Sequence, residues 1–287
     1  MLIKPLPLLN FFVATVMFSI GLRVQQGELL EVLRNRAMLV RSLLANCVIV
    51  PALGVLLVLL FPLTPDATVG ILLLAAIPGT PIALQFTRQA KTRLAFAAAM
   101  TFVLSIVSIA MAPLAVEVMP QAATRSERPI LNLLASILLY IALPLLAGLW
   151  LGRRAPKIAP KFALPLGILA SVVFVFLMWE TRLARRQAFD AIRGRGTILA
   201  MALLLVLAML IGWFIGGPDP ESRRVLATTT SMRSVIVVLY VARYCFPRTS
   251  VYMVPIVYIS LMVPTNMLFH LGFTIWQKVR LRRAAAA

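Results

Sequence analysis

An apolar stretch long enough to enter a bilayer, Gly70 to Gln89 (GILLLAAIPGTPIALQFTRQ), carries Ile77-Pro78-Gly79-Thr80-Pro81 in its middle. Each proline removes a backbone donor and clashes with the preceding turn, at a cost of about 3 kcal/mol or more in a helix interior; glycine adds about 1 kcal/mol. No helix is expected to pass through this segment unbroken. Carbonyl and N–H groups freed by the break cannot face lipid, where each costs several kcal/mol, so the break has to be buried in protein or line a wet cavity.

The rest of the chain explains why lipid is the right solvent to argue from. Of 287 residues, 61% are hydrophobic and 13% charged, the mean hydropathy is +0.97, and runs of about 20 apolar residues recur along the whole length. The fold class expected is an all-α polytopic membrane protein with about nine transmembrane helices, forming one domain over residues 1–287 with no room for a folded soluble domain. The 28 Lys and Arg against 9 Asp and Glu, a net charge of +19, fall mostly in short loops. There they set orientation and meet the anionic headgroups of the bilayer, and no nucleic-acid module lies among them. Cys47 and Cys245 sit in or beside apolar segments as small hydrophobes. The N-terminal apolar run has no A-x-A-like cleavage site after it and reads as the first span.

The spans expected are about Leu6–Leu22, Ala37–Leu60, the broken third segment, Leu94–Val118, Ile130–Leu151, Phe162–Trp179, Thr197–Gly216, Val225–Tyr244 and Val251–Trp276. Pro62, Pro65 and Asp66 read as a tight turn and Gly217 to Glu221 as another. Pro51, Pro255 and Pro264 read as kinks. Glu180 to Gly196, with five arginines, reads as a basic surface helix. Loops one, three, five and seven and the C-terminal tail carry more Lys and Arg than the opposite side, which puts the C-terminus in the cytoplasm of a multi-pass protein of the cell inner or plasma membrane.

The second half offers a counterpart to the break, at Thr228-Thr229-Thr230-Ser231-Met232-Arg233-Ser234. Four consecutive hydroxyls cannot share one helix face. An arginine near mid-membrane costs about 2.5 to 3.5 kcal/mol on insertion scales and needs an anionic or carbonyl-rich partner. Interrupted spans in corresponding places of two halves point to a transporter's substrate site. The candidate substrate-binding residues are therefore Pro78, Gly79, Thr80, Pro81, Thr229, Thr230, Ser231, Arg233 and Ser234. The alternative is that the hydroxyls bond back to their own helix and Arg233 snorkels or meets a carboxylate, although Asp66, Glu117, Glu180 and Glu221 all lie near span ends. Thr80 alone reads as structural. His270, the only histidine, makes a poor metal site without a second His or Cys nearby.

The run PGTPIALQFTRQAKTRLAFAAAMTFVLSIVSIAMAPL resembles the Pro-Gly-containing crossing helix, and the helix after it, of the bile acid:sodium symporter family. GWFIGGPDPESRRVLATTTSMRS resembles that family's second crossing helix, and MFSIGLRV its first-span pattern. The resemblance implies two inverted repeats (about 1–120 and 130–280), core and panel subdomains, and a cavity beside two broken crossing helices, the third and eighth. It also locates the family's sodium ligands on Ala83, Leu84, Ala97, Thr101, Thr229, Arg233 and Ser234, where only Thr101 remains of the best oxygen ligands, a weak remnant of a metal site. A guanidinium repels a cation 4 Å away by about 4 kcal/mol at an effective dielectric near 20. Two readings follow: Arg233 fills the space of the cations and cross-links broken-helix carbonyls, or it contacts an organic anion directly.

The function expected is a secondary transporter of a small organic anion, working by alternating access without sodium and without a cofactor. The alternative is a non-transporting membrane sensor or scaffold on the same fold. No HExxH or G-x-S-x-G motif is present, and one histidine leaves few acid–base schemes for an enzyme. Substrate identity and oligomeric state are not legible in the chain.

Overall fold

The computed structural model describes residues 6–23, 30, 33–79, 94–118, 130–156, 158–180, 196–246 and 249–286. The described residues form helices and no strand: α1 (Leu6–Arg23), α2 (Arg36–Leu60), α3 (Pro65–Ala76), α4 (Leu94–Val118), α5 (residues 130–154), α6 (Ala159–Glu180), α7 (Thr197–Ile215), α8 (Pro220–Ser231), α9 (Val235–Cys245) and α10 (Met253–Ala286). Six stretches are long and apolar enough to cross a bilayer: Arg36–Leu60, Ala99–Val118, Leu134–Arg154, Thr197–Ile215, Pro220–Cys245 and Met253–Gln277. Asn10–Arg23, Pro65–Ala76 and Lys161–Ala170 are shorter apolar helices. Thr80 and Pro81, residues 119–129 and the arginine-rich stretch 181–195 lie outside the described residues.

The outer surface is apolar. Leu59, Val118, Phe214 and Leu268 are largely exposed, as expected of side chains that meet acyl chains and not of a surface that meets water. The inside holds the polar groups. Ninety-four per cent of the apolar window in Pro220–Cys245 is buried, against 28% in Arg36–Leu60, so α8 and α9 are the centre around which the other helices stand. α1 packs on α5 with almost no space between backbones: a Cβ on Gly21 would lie 2.2 Å from Leu145 O, and one on Gly148 2.2 Å from Phe18 O. Small residues of this kind let membrane helices associate by close packing.

Several local expectations change. Pro65 and Asp66 do not make a turn; they open α3, with Thr64 as N-cap accepting from Ala67 N at 3.3 Å. Proline at the first helical position loses a donor that had no partner anyway, and its fixed φ suits the helix. α8 likewise begins at Pro220 and not near Val225, because Asp219 caps it by accepting from Ser222 N at 3.0 Å. Pro51 is accommodated by a π-helical turn, Ala45–Ile49, and Pro144 by another at Leu138–Ala142. In each case the wider turn ends just before the proline and absorbs its missing N–H.

Candidate functional site

Two twelve-residue helices stop inside the protein. α3 ends at Ala76, where Ile77 turns extended (φ −100°, ψ 101°) and its N–H returns to Leu73 O at 3.0 Å. α8 ends at Ser231, where Met232 does the same (φ −83°, ψ 93°) and donates to Thr228 O at 3.0 Å. Both begin on a capping oxygen followed by proline and an acidic residue. The two stops touch, since Ser234 N donates to Ile77 O at 3.3 Å. Gly79 sits at φ +71°, in the left-handed region that favours glycine, and a Cβ there would meet Leu104 Cβ at 2.8 Å. Pro78 O accepts from the Ser108 hydroxyl of α4.

A helix that stops leaves its last carbonyls without donors, and the sequence fixes which ones need help. Leu74 O would normally take the N–H of residue 78, but residue 78 is proline. In α2, the π turn sends Val50 N to Ala45 O, and the next residue is Pro51, so Asn46 O also lacks its helical donor. Arg233 supplies both. Its Nε donates to Leu74 O at 2.9 Å, its Nη2 to Ala75 O at 2.5 Å and to Asn46 O at 3.4 Å, and its Nη1 to Asn46 Oδ1 at 2.8 Å. Four of the five N–H groups of a guanidinium thus point at protein oxygens, and the side chain is fully buried.

The electrostatics agree with the geometry. Each helix C-terminus carries roughly half a negative elementary charge, so the two ends that converge here amount to about one unit, matched by one guanidinium. Asn46 relays the contact to α8, donating from Nδ2 to Thr230 Oγ1 at 3.3 Å and to Ser42 O at 3.0 Å. Thr229 bonds back to Val225 O at 2.9 Å. Ser231 donates to Asn266 Oδ1 of α10 at 3.0 Å, and the Tyr258 hydroxyl donates to Ser231 O at 2.9 Å.

The structure therefore brings Thr230, Arg233 and Ser234 together with the end of α3 and with Pro78 and Gly79 beyond it. Ser231 points to α10, Thr229 into its own helix, and Thr101 to Ala97 O of α4 at 2.8 Å. Sequence reasoning missed Asn46, Tyr258 and Asn266. Asn46 was findable as the one amide in an otherwise apolar run five residues before a membrane proline. No group of three or more His, Cys, Asp or Glu that could hold a metal occurs among the described residues.

Apolar helices with an outward-facing hydrophobic surface and a buried polar centre define an integral, multi-pass α-helical membrane protein. The sodium bile acid symporter family matches residues 10–185, more than half of the chain, and the chain belongs to that family. Over 279 residues it is 24% identical to the probable sodium/metabolite cotransporter BASS6, chloroplastic, of Arabidopsis thaliana, a match covering 92% of this chain and 66% of that protein. Over 240 residues it is 24% identical to BASS1 of the same plant, a protein of the same description, covering 82% of this chain and 59% of the relative. The chain thus spans less than two thirds of the length of either.

Proposed function

We propose that this protein is a secondary transporter of a small organic anion, not an enzyme, and that Arg233 stands permanently where related carriers hold a cation, so that transport is independent of sodium. The observation that carries this is the set of four bonds from Arg233 to Leu74 O, Ala75 O and both oxygens of Asn46. A group so occupied serves the protein better than it serves a ligand, which favours the cross-linking reading over direct contact with substrate. The metabolite cotransport named for the two plant relatives supports a small metabolite as the substrate class.

The matching design of α3 and α8 supports the rest of the reading: two inverted repeats over about 1–120 and 130–280, nine spans with the third and eighth broken, core and panel subdomains, and alternating access. The anion would meet the start of α9 beside Ser234, a helix end without a side-chain cap, where backbone N–H groups and the dipole favour negative charge. The excess of Lys and Arg in loops one, three, five and seven and in the C-terminal tail supports a C-terminus on the cytoplasmic side of an inner or plasma membrane.

The test is uptake of mixed carboxylates and sulfonates into proteoliposomes, with and without an inward sodium gradient. Uptake indifferent to sodium is expected. Sodium-stimulated uptake overturns the role given to Arg233, and no uptake of any solute under any gradient leaves the sensor or scaffold instead.

A further inference from the structure

One turn inside the start of α8, and apart from Arg233, lies a second buried cation. Arg224 is 2% exposed and His270 of α10 1%. Arg224 Nε donates to His270 Nδ1 at 2.8 Å, and its guanidinium stacks 4.7 Å from the Phe273 ring centroid. Because an arginine N–H can only donate, Nδ1 must be the accepting nitrogen and Nε2 carries the hydrogen. That hydrogen faces Thr228 Oγ1 at 3.1 Å, and Thr228 in turn donates to Arg224 O at 2.8 Å. The hydrogen bonds close a ring, and the ring requires a neutral imidazole.

Two atoms beside the ring are unused. Arg224 Nη2 is buried without a hydrogen-bond partner among the described residues, and so is Glu221 Oε2, three residues earlier on the same helix. The other carboxylate oxygen of Glu221 accepts from Gln277 Nε2 at 2.7 Å. One group is a cationic donor and the other an anionic acceptor, at helical spacing that lets them meet. Burying both unsatisfied is costly, unless a second arrangement uses them.

We propose that His270 is a proton-binding site, and that a proton and Arg224 compete for Nδ1: when the proton binds, the Arg224 guanidinium passes to Glu221. The proton adds to the Nδ1 lone pair, no N–H bond of arginine breaks, and the new imidazolium is relieved of a cation 2.8 Å away. Glu221, half-buried at the helix start, stands between this cluster and the aqueous end. Among the described residues the charged group facing the imidazole is Arg224, with Glu221 next to Arg224 in turn, both from α8. α7 has no titratable residue. Asp66 of α3 binds Ser250 N at the far end of α10, roughly 25 Å off at 1.5 Å per residue, and α9, with Tyr240, Arg243 and Tyr244, runs toward that same far end. Thr228 couples the site to α8, since Met232 N and Ser231 Oγ both bond Thr228 O, next to Arg233. Resting on the transport reading above, the proton is the coupling ion.

His270 is the only histidine of the chain, so ¹⁵N-histidine labelling in nanodiscs reports this ring alone. The expected spectrum at high pH is the Nε2–H tautomer, passing to imidazolium on acidification. Arg224→Gln should raise the midpoint by about 1 to 3 pH units and Glu221→Gln should lower it, in line with the effect of a neighbouring charge. An Nδ1–H tautomer, or midpoints unmoved by both substitutions, overturns the proposal. In proteoliposomes, an inward acid gradient should accelerate anion uptake in the wild type and leave His270→Gln unaccelerated but still competent in substrate exchange. Equal acceleration in both overturns the coupling role. Failure of the wild type to move any anion sinks the transport reading, while the ring titration still decides the proton site.

Discussion

Arg233 and Arg224 belong to the same buried segment, and both are removed from solvent, yet they are solvated in opposite ways. Arg233 meets four oxygens, three of them backbone carbonyls, drawn from α2 and α3. Arg224 meets one imidazole nitrogen and one aromatic face, and its Nη2 has no hydrogen-bond partner among the described residues. A guanidinium saturated by the ends of interrupted helices cannot leave without stranding every carbonyl it holds. One with a single side-chain hydrogen bond among the described residues, and a carboxylate nearby with one unused oxygen, can change partner at little cost. Burial alone therefore says little about an arginine's job; the number and kind of acceptors around it say more.

The comparison breaks most readily at the arginines themselves. Arg233→Gln offers at most two donors to four oxygens, and leaving buried acceptors of a removed charge unsatisfied costs about 3 to 5 kcal/mol. Loss of folded protein or a large fall in melting temperature in detergent is the expected outcome. Arg224→Gln surrenders one hydrogen bond and a stacking contact, about 1 to 3 kcal/mol. If the two variants melt together, the distinction drawn between the sites is wrong. Arg233→Lys should fall well short of the wild type, because an ammonium lacks the planar fork that reaches separate carbonyls.

Asn46 tests whether the saturation of Arg233 reaches α8. Replacing it with leucine removes the Oδ1 acceptor and the donor to Thr230 while leaving the backbone carbonyl in place. A loss of about 2 to 4 kcal/mol is expected, from one charge-assisted hydrogen bond and two neutral ones, to Thr230 and to Ser42 O. A double-mutant cycle with Thr230→Val separates the Thr230 bond from the others. Coupling near zero would mean that α8 is held by α10 through Ser231, Tyr258 and Asn266 and not by α2.

These contacts also show what a sequence can and cannot reveal. The apolar runs are legible because lipid permits few alternatives, and the stop at Ile77 because Pro78 and Gly79 forbid a helix on their own. Helix starts at Pro65 and Pro220 look like turns, since Pro with Asp or Glu serves both purposes and only the preceding cap decides. Arg233 announces a need for carbonyls, but not which ones. Leu74 and Ala75 carry apolar side chains, and nothing in a side-chain alphabet marks a backbone oxygen as free. Asn46 stands out in the sequence as a lone amide, but its free backbone carbonyl follows only from the π turn ahead of Pro51.

Smaller effects come from giving the missing N–H groups back. Pro78→Ala allows α3 to continue by one residue, and the new amide then competes with Arg233 Nε for Leu74 O. Because that bond is well formed at 2.9 Å, Arg233 should be visibly loosened, with about 1 to 2 kcal/mol lost from the charged hydrogen bond it shares. Hydrogen exchange at the new amide is the direct measure, and slow exchange with unchanged melting would show that proline is not what frees this carbonyl.

Pro51→Ala is the gentlest probe. The restored amide lies five residues after Asn46, in register to continue the π turn onto Asn46 O, the acceptor Arg233 holds least well at 3.4 Å. Arg233 Nη2 keeps Ala75 O, and Nη1 keeps Asn46 Oδ1, so only the weakest of four bonds is contested. A change in stability within about 1 kcal/mol follows, its sign set by whether a neutral backbone hydrogen bond replaces a strained charged one. A loss as large as that of Asn46→Leu would instead mean that the proline shapes the whole turn and positions the Asn46 side chain, and that Arg233 depends on the geometry of α2 more than on any one oxygen it offers.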